Sequence, residues 1–398
     1  MSDLALAVLP LIRTRADLHH RSAATAHGRQ MQHAVDLLAD ALDSDPATVF
    51  AVTQKALASA IKLIARADDS SGVMGSAIRD LLDIHARSAA VARVQVSKLV
   101  SWMIAFQFEG EVDYFELDPV AYTGALGEDG MASYRDRIRQ LEADLGPGSA
   151  RRFFVEWNLR RLAVVAGDVD AIIATHARDR RVAAWFTDTA RALAEVGEVE
   201  LAIDWARQAA DFDRGHQAQE GAQYWCELLG EHRVGEELAA RVEVFTRWPS
   251  STTAARLYKC AGDLWPRYRD DVLARLAFSA RETVLFALGS LGDVELAWDA
   301  AHALNLTSVD VWDRLVAAYE PVDPAAVVPV LADLVTAELA HTGVRHYQVA
   351  ARYLRRMRAL AAGTPQAAEV DHLIGELREK HRRRPRLQQE FDRVGLPR

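Results

Sequence analysis

The residues able to do metal or proton chemistry gather first near the amino terminus. His19, His20, His27 and His33 lie in a segment, 13–42, patterned as a helix, and His20 and His27 are seven apart, close enough in phase to share a face. A helix-borne metal site needs histidines at i and i+4 with a carboxylate held in a fixed frame. That set is missing, so these read as ordinary surface or interface histidines, with no metal or cofactor expected. Asp68, Asp69 and Ser71, in the loop 68–75, offer oxygen ligands for a small cation or contacts to a peptide. The same loop, with Gly72 and Gly75, also reads as a turn and cap for a helix over 76–91. It lacks the alternating acids and closing Glu of an EF-hand, and capping is the preferred reading.

Nucleophilic chemistry has still less to work with. Cys226 and Cys260 are the only cysteines, 34 residues apart. They exclude a disulfide framework and point to a reducing compartment. On successive helical units they would sit about 10 Å apart, too far for a bridge, and they read as packing residues. No Walker loop, dinucleotide fingerprint or nucleophile elbow occurs, so no enzyme is expected.

Arg378 to Arg386 forms the most basic run, REKHRRRPR. Arg382, Arg383 and Arg384 could contact an anion such as phosphate, nucleic acid or an acidic partner. The competing reading is a solvated helix end, where cations also favour the carboxyl-terminal dipole. No aromatic residue interleaves the run, which weakens a single-strand stacking platform. From residue 344 to 398 there are 13 Arg and Lys against 6 Asp and Glu, a local +7 that leaves −16 of the net −9 on the other 343 residues. An acidic body argues against nucleic-acid binding over most of the chain.

These residues must be positioned by helices. The 398 residues are 50% hydrophobic, with only 12 Pro and 22 Gly, and strand-like alternation is absent. Ala, Leu and Arg dominate, which predicts an all-α chain. No run approaches the length of a membrane span, and the first 15 residues lack the basic lead and cleavage pattern of a signal peptide, so a cytoplasmic protein is expected.

The chain is best organised around VAAWFTDTARALAEVGEVELAIDWARQAADFD (182–213), two helices joined by a turn at Gly197. Similar Gly–acidic–Val turns recur at Gly167 and Gly292. Helix pairs fall at 150–166 and 168–178, 182–196 and 198–213, 217–231 and 235–248, 250–262 and 266–280, 281–291 and 293–304, and 308–320 and 323–342. Units of about 30–35 residues are in the tetratricopeptide range, and one amphipathic hairpin buries its apolar face only by stacking on the next. The expected architecture is an α-solenoid of such hairpins. Three regions follow: an amino-terminal helical region 1–146, repeats over 147–343, and a carboxyl-terminal cap with a basic tail over 344–398, the first boundary being set by Gly146, Pro147 and Gly148. In the matched hairpin, Ala184, Thr187, Arg191, Ala194 and Glu195 fall on the groove-facing side of the first helix. Thr187, Arg191 and Glu195 are therefore the partner-binding candidates.

Four stretches together resemble one family: DDSSGVMGSAIRDLLDIHARSA (68–89), YTGALGEDGMASYRDRI (122–138), GDVELAWDAA (292–301) and LREKHRRRPRLQQEFDRVGL (377–396). The resemblance is to the uncharacterised bacterial helical-repeat region that commonly follows a SWIM zinc finger, and it covers most of the chain in order. A SWIM finger needs a Cys-x-Cys pair and a later Cys-x-His, which the two cysteines here cannot supply. The resemblance implies a binder of protein or DNA. With the repeat pattern, it leads to an expected non-enzymatic scaffold for a partner protein or peptide, the alternative being a nucleic-acid accessory acting through the basic cluster.

Overall fold

The computed structural model describes residues 2–109, 115–146, 149 and 151–397. Among these residues there are helices and no strands. The chain divides into two compact units, residues 1–225 and 226–398, each described by itself. Pro147 and Gly148, part of the break expected there, lie outside the described residues.

The first unit holds α1 (Asp3–Ile12), α2 (Arg21–Ala41), α3 (Pro46–Ile64), α4 (Val73–Ala92), α5 (Val96–Phe108), α6 (Thr123–Ala143), α7 (Arg152–Ala166), α8 (Val169–Ala177), α9 (Ala183–Glu195) and α10 (Val199–Phe212). It also includes the first part of α11 (His216–His232). The helix expected over 13–42 begins only at Arg21, and α1, with Pro10 in its last turn, precedes it. Asp45 caps α3 by accepting from the Thr48 amide at 3.1 Å, with Pro46 at the first helical position. α3 has the length and apolar composition to cross a membrane, where the sequence reading found no such run. Its Val49, Val52, Ala56, Leu57 and Ala60 lie buried among α1, α2 and α4, in a core that includes Met31, Leu38 and Leu81. Each large aliphatic chain so buried is worth about 1.5–3 kcal/mol.

A second core joins α4 to α7 through Leu99, Met103, Tyr122, Tyr134 and Ile138. It also encloses His85. The imidazole lies 4.6 Å from the Phe50 ring and 4.0 Å from Trp102, and Nδ1 meets the Tyr122 hydroxyl at 2.9 Å. Nε2 is buried without a polar partner, and burial pulls the pKa down to about 3.

Beyond α11, the second unit holds α12 (Val234–Arg247), α13 (Ser251–Ala261), α14 (Arg269–Leu276), α15 (Ala280–Phe286), α16 (Val294–Ala303), α17 (Val309–Tyr319), α18 (Pro324–Leu339), α19 (Val344–Ala361), α20 (Gln366–Lys380) and α21 (Pro385–Arg393). Phe245, Leu257, Trp265 and Phe286 form one core, and a larger one runs from Val284 to Leu396. The helix expected over 266–280 is shortened to α14 by a 3₁₀ turn over Gly262–Arg267. That expected over 281–291 becomes α15 followed by a π turn over Ala287–Leu291.

The recurring Gly–acidic–Val turn has a physical basis. Gly167, Gly197 and Gly292 end their helices at φ +63°, +86° and +65°, a left-handed backbone that glycine takes without strain. Asp168 and Asp293 then cap α8 and α16, accepting from Ala171 and Leu296 amides at 3.0 and 2.9 Å. Glu198, one methylene longer, makes no such cap to α10.

Candidate functional site

A charged constellation of the first unit spans α7, α9 and α11, with the loop at Asp118 and the α8–α9 loop at its margins. Arg161 on α7 organises it. Its guanidinium donates to both carboxylate oxygens of Asp118, at 2.9 and 2.7 Å, and to both of Glu195, at 2.8 and 2.7 Å. Burial works against the Arg161 charge, and the hydrogen bonds to Glu195 and Asp118 outweigh it, raising the pKa. A planar five-donor fork can satisfy two carboxylates at once in this way, and an ammonium cannot. Asp118 in turn receives the Val120 amide at the Pro119–Tyr122 turn.

One helical turn before Glu195, Arg191 remains open. It reaches Asp188 at 3.7 Å and lies 5.4 Å over the Tyr224 ring of α11. Asp188 keeps 55% of its side chain exposed. The surrounding protein nonetheless raises its pKa by desolvation, against the pull of Arg191, Arg160 and Arg178. Arg160, half-buried, has its pKa lowered by burial and by the like charge of Arg178. His176 is buried beside the same arginines, with Nδ1–H donating to the Ile172 carbonyl at 3.0 Å. Burial first, and then the Arg160, Arg161 and Arg178 charges, bring its pKa to about 4 against the lift from that hydrogen bond.

The α8–α9 loop adds strained backbone. Arg178 and Arg180 have φ +49° and +56°, where a side chain costs of order 1 kcal/mol or more. Each guanidinium lies 5.0 Å over an indole, Arg178 on Trp185 and Arg180 on Trp205. Stacking of this kind returns about 0.5–1 kcal/mol at exposed sites.

The three partner-binding candidates separate in the structure. Arg191 is exposed. Glu195 belongs to the face but is held by Arg161. Thr187 is corrected: it is only 3% exposed, its hydroxyl donates to the Ala183 carbonyl, and it lies where α9 meets α10 and α11. Gly221 of α11 approaches so closely that a Cβ there would stand 2.6 Å from Ala209 Cβ and 2.9 Å from Thr187 Oγ1. Thr187 therefore packs helices and presents nothing to a partner. Of the other groove positions, Ala184 and Ala194 are half-buried. The reading missed Arg160, Arg161, Arg178 and Trp185. The only signal for the arginines was their pairing and spacing on α7 and in the loop.

The remaining sequence candidates are placed as follows. His27 is buried, and its Nε2–H donates to the Ile12 carbonyl at 2.9 Å. Among the described residues no three His, Cys, Asp or Glu side chains gather as a metal-ligating group. Asp69 accepts from the Met74 and Gly75 amides at 3.1 and 2.8 Å, capping α4, which starts at Val73 rather than 76. Cys226 and Cys260 are free thiols, and burial pushes Cys226 up to about 12. The basic run begins in the last turn of α20, with Arg378 and Lys380, then turns over 381–384 and enters α21 at Pro385. There Arg382 pairs with Glu379, and Arg384 donates to the Leu339 carbonyl at 3.0 Å, while Arg383 is exposed and has no partner among the described residues. Compared with known protein families and curated proteins, the chain matches no family model and no curated sequence.

Proposed function

We propose that the chain is a non-enzymatic scaffold whose helical hairpins stack as a tetratricopeptide-like solenoid, of the kind that follows SWIM fingers in bacterial proteins. In this reading the face of α7, α9 and α11 in the first unit binds a partner protein or peptide. The observation that carries it is the exposed charged face of α9, where Arg191 pairs with Asp188 at 3.7 Å and lies 5.4 Å over the Tyr224 ring of α11. Contacts running from α7 to α9 through Arg161 and Glu195, and from α9 to α11 through Arg191 and Tyr224, support the stacking of alternate helices. Charged and aromatic side chains on a preformed surface supply specificity and anchoring for a peptide. The two free cysteines support a cytoplasmic setting.

Affinity capture from native lysate, compared between the wild-type chain and Arg191→Glu with Arg178→Glu, tests the proposal. A stoichiometric partner held by the wild type and lost by the double variant supports it. Equal recovery on both, or no stoichiometric partner with the wild type, refutes it.

A further inference from the structure

A second charged surface lies in the second unit, on α19. The inner side of that helix, with Tyr347, Ala350, Ala351, Leu354 and Met357, is buried in the larger core. Its outer side carries Arg345, Arg352 and Arg355, all exposed. Two neighbouring arginines are already neutralised, Arg356 by Glu320 and Arg358 by Asp371. Arg345, Arg352 and Arg355 make no ion pair or hydrogen bond with any described residue.

These three line a string of depressions of about 480, 620 and 400 Å³ along the helix. Arg352 borders the first and second, and Arg355 the second and third, so the three share walls. Of the carboxylates around them, Glu390 is paired with Arg386 at 2.9 Å and Asp371 with Arg358, while Asp313 at the second depression keeps its negative charge beside Tyr353, whose pKa is raised by burial and by that charge. Three unpaired guanidiniums against the single carboxylate of Asp313 leave the charge facing the depressions positive on balance. The floors are partly apolar, with Val349 and Val394 in the first and Ala362, Ala367 and Leu396 in the third.

We infer that this stripe is a docking groove for an acidic peptide segment of a partner protein, one that alternates carboxylates with apolar side chains. Guanidinium groups match carboxylates in paired hydrogen bonds. An apolar floor under a cationic rim asks for apolar side chains beside the acids. A sugar–phosphate backbone would answer the rim and leave the floor in water. Tyr347 and Tyr353, the nearest aromatics on the helix, are buried and offer no base a stacking platform. From Arg345 to Ala359 the helix spans about 21 Å, the reach of about seven extended residues.

The test uses the full chain and a fluorescein-labelled peptide of about ten residues alternating Glu with Leu, read by anisotropy. Controls are a Glu-only peptide of equal charge, and single- and double-stranded oligonucleotides. The expected result is micromolar binding of the alternating peptide that weakens about tenfold or more in R345E/R352E/R355E and falls steeply with added salt. R345Q/R352Q/R355Q, which removes the charge without reversing it, is expected to weaken binding while leaving circular dichroism and Tm as in the wild type. Unchanged affinity in both variants overturns the inference, as does no binding by the wild type. Tighter binding of either oligonucleotide, or equal binding of the Glu-only peptide, also overturns it. Sedimentation velocity completes the test: a wild-type oligomer that the variants dissolve would assign the groove to a second copy of the chain.

Discussion

Arg161 and Glu195 meet through two parallel hydrogen bonds of 2.8 and 2.7 Å, tying the middle of α7 to the end of α9. Because the same guanidinium holds Asp118, its removal leaves two carboxylates facing each other without a cation. Arg161→Ala is expected to destabilise the protein by about 1–3 kcal/mol, a figure reduced from that of a fully buried pair because both acids are partly exposed. Arg161→Lys is expected to recover less than half of the loss. Urea unfolding of the three proteins checks this, and a lysine variant as stable as wild type would show that the fork geometry is irrelevant.

His85 and His176 make stability sensitive to mild acid. Unfolded, each imidazole titrates near 6.5; folded, they titrate near 3 and 4 because burial disfavours the charged ring. Above pH 6.5 both states are neutral and the fold keeps its full stability. As the pH falls below 6.5, the unfolded chain takes up protons that the folded chain refuses, so stability drops until the folded rings protonate. The slope is about 1.4 kcal/mol per pH unit for each ring. His85→Phe is expected to shallow the decline between about pH 6 and 4 by that amount, as read from denaturation midpoints across pH. An unchanged slope would mean that His85 is protonated in the fold.

The close approach of α11 at Gly221 makes a third test. Gly221→Ala would place a methyl group within 2.6 Å of Ala209 and is expected to cost about 1–3 kcal/mol, although alanine is the better helix former. A stability gain in thermal unfolding would contradict the packing at Thr187.

Arg178 and Arg180 occupy backbone that glycine prefers. Arg178→Gly relieves strain while losing the Trp185 contact, whereas Arg178→Ala loses the contact and keeps the strain. The glycine variant is expected to be the more stable of the two by about 1 kcal/mol. The reverse order in calorimetry would mean that the left-handed backbone is not strained.

Asp69 bonds two amides at the start of α4, so Asp69→Ala is expected to cost about 1–2 kcal/mol. Added calcium should leave the wild-type Tm unchanged, since the carboxylate is already committed to the helix; a calcium-dependent rise would revive the cation reading of the loop.

Helix identity was legible because it depends on short-range pattern. The pair expected at 182–196 and 198–213 is seen at Ala183–Glu195 and Val199–Phe212, and its turn follows from Gly197. Thr187 was misplaced because the facing of a helix is decided by what packs on it. The clue lay 34 residues away, in a glycine inside α11 that helix propensity alone disfavours. Pro385 marks a new helix start, a signal outweighed by the run of arginines before it. The stripe at Arg345, Arg352 and Arg355 lies outside the basic run that the sequence singles out, because which arginines lack acids is decided by the fold. The left-handed Arg178 and Arg180 carried no signal, since Gly and Asn are the residues that announce such backbone.

Helix α3 carries a consequence for biosynthesis. It is the described segment with the length and apolarity of a membrane anchor, and on the ribosome it emerges after α1 and α2, against which it packs. A nascent chain can therefore begin to bury this segment as soon as it is exposed. Residues 3–41 supply two of the helices that cover α3, so a chain lacking them is expected to leave this apolar helix partly bare and to aggregate.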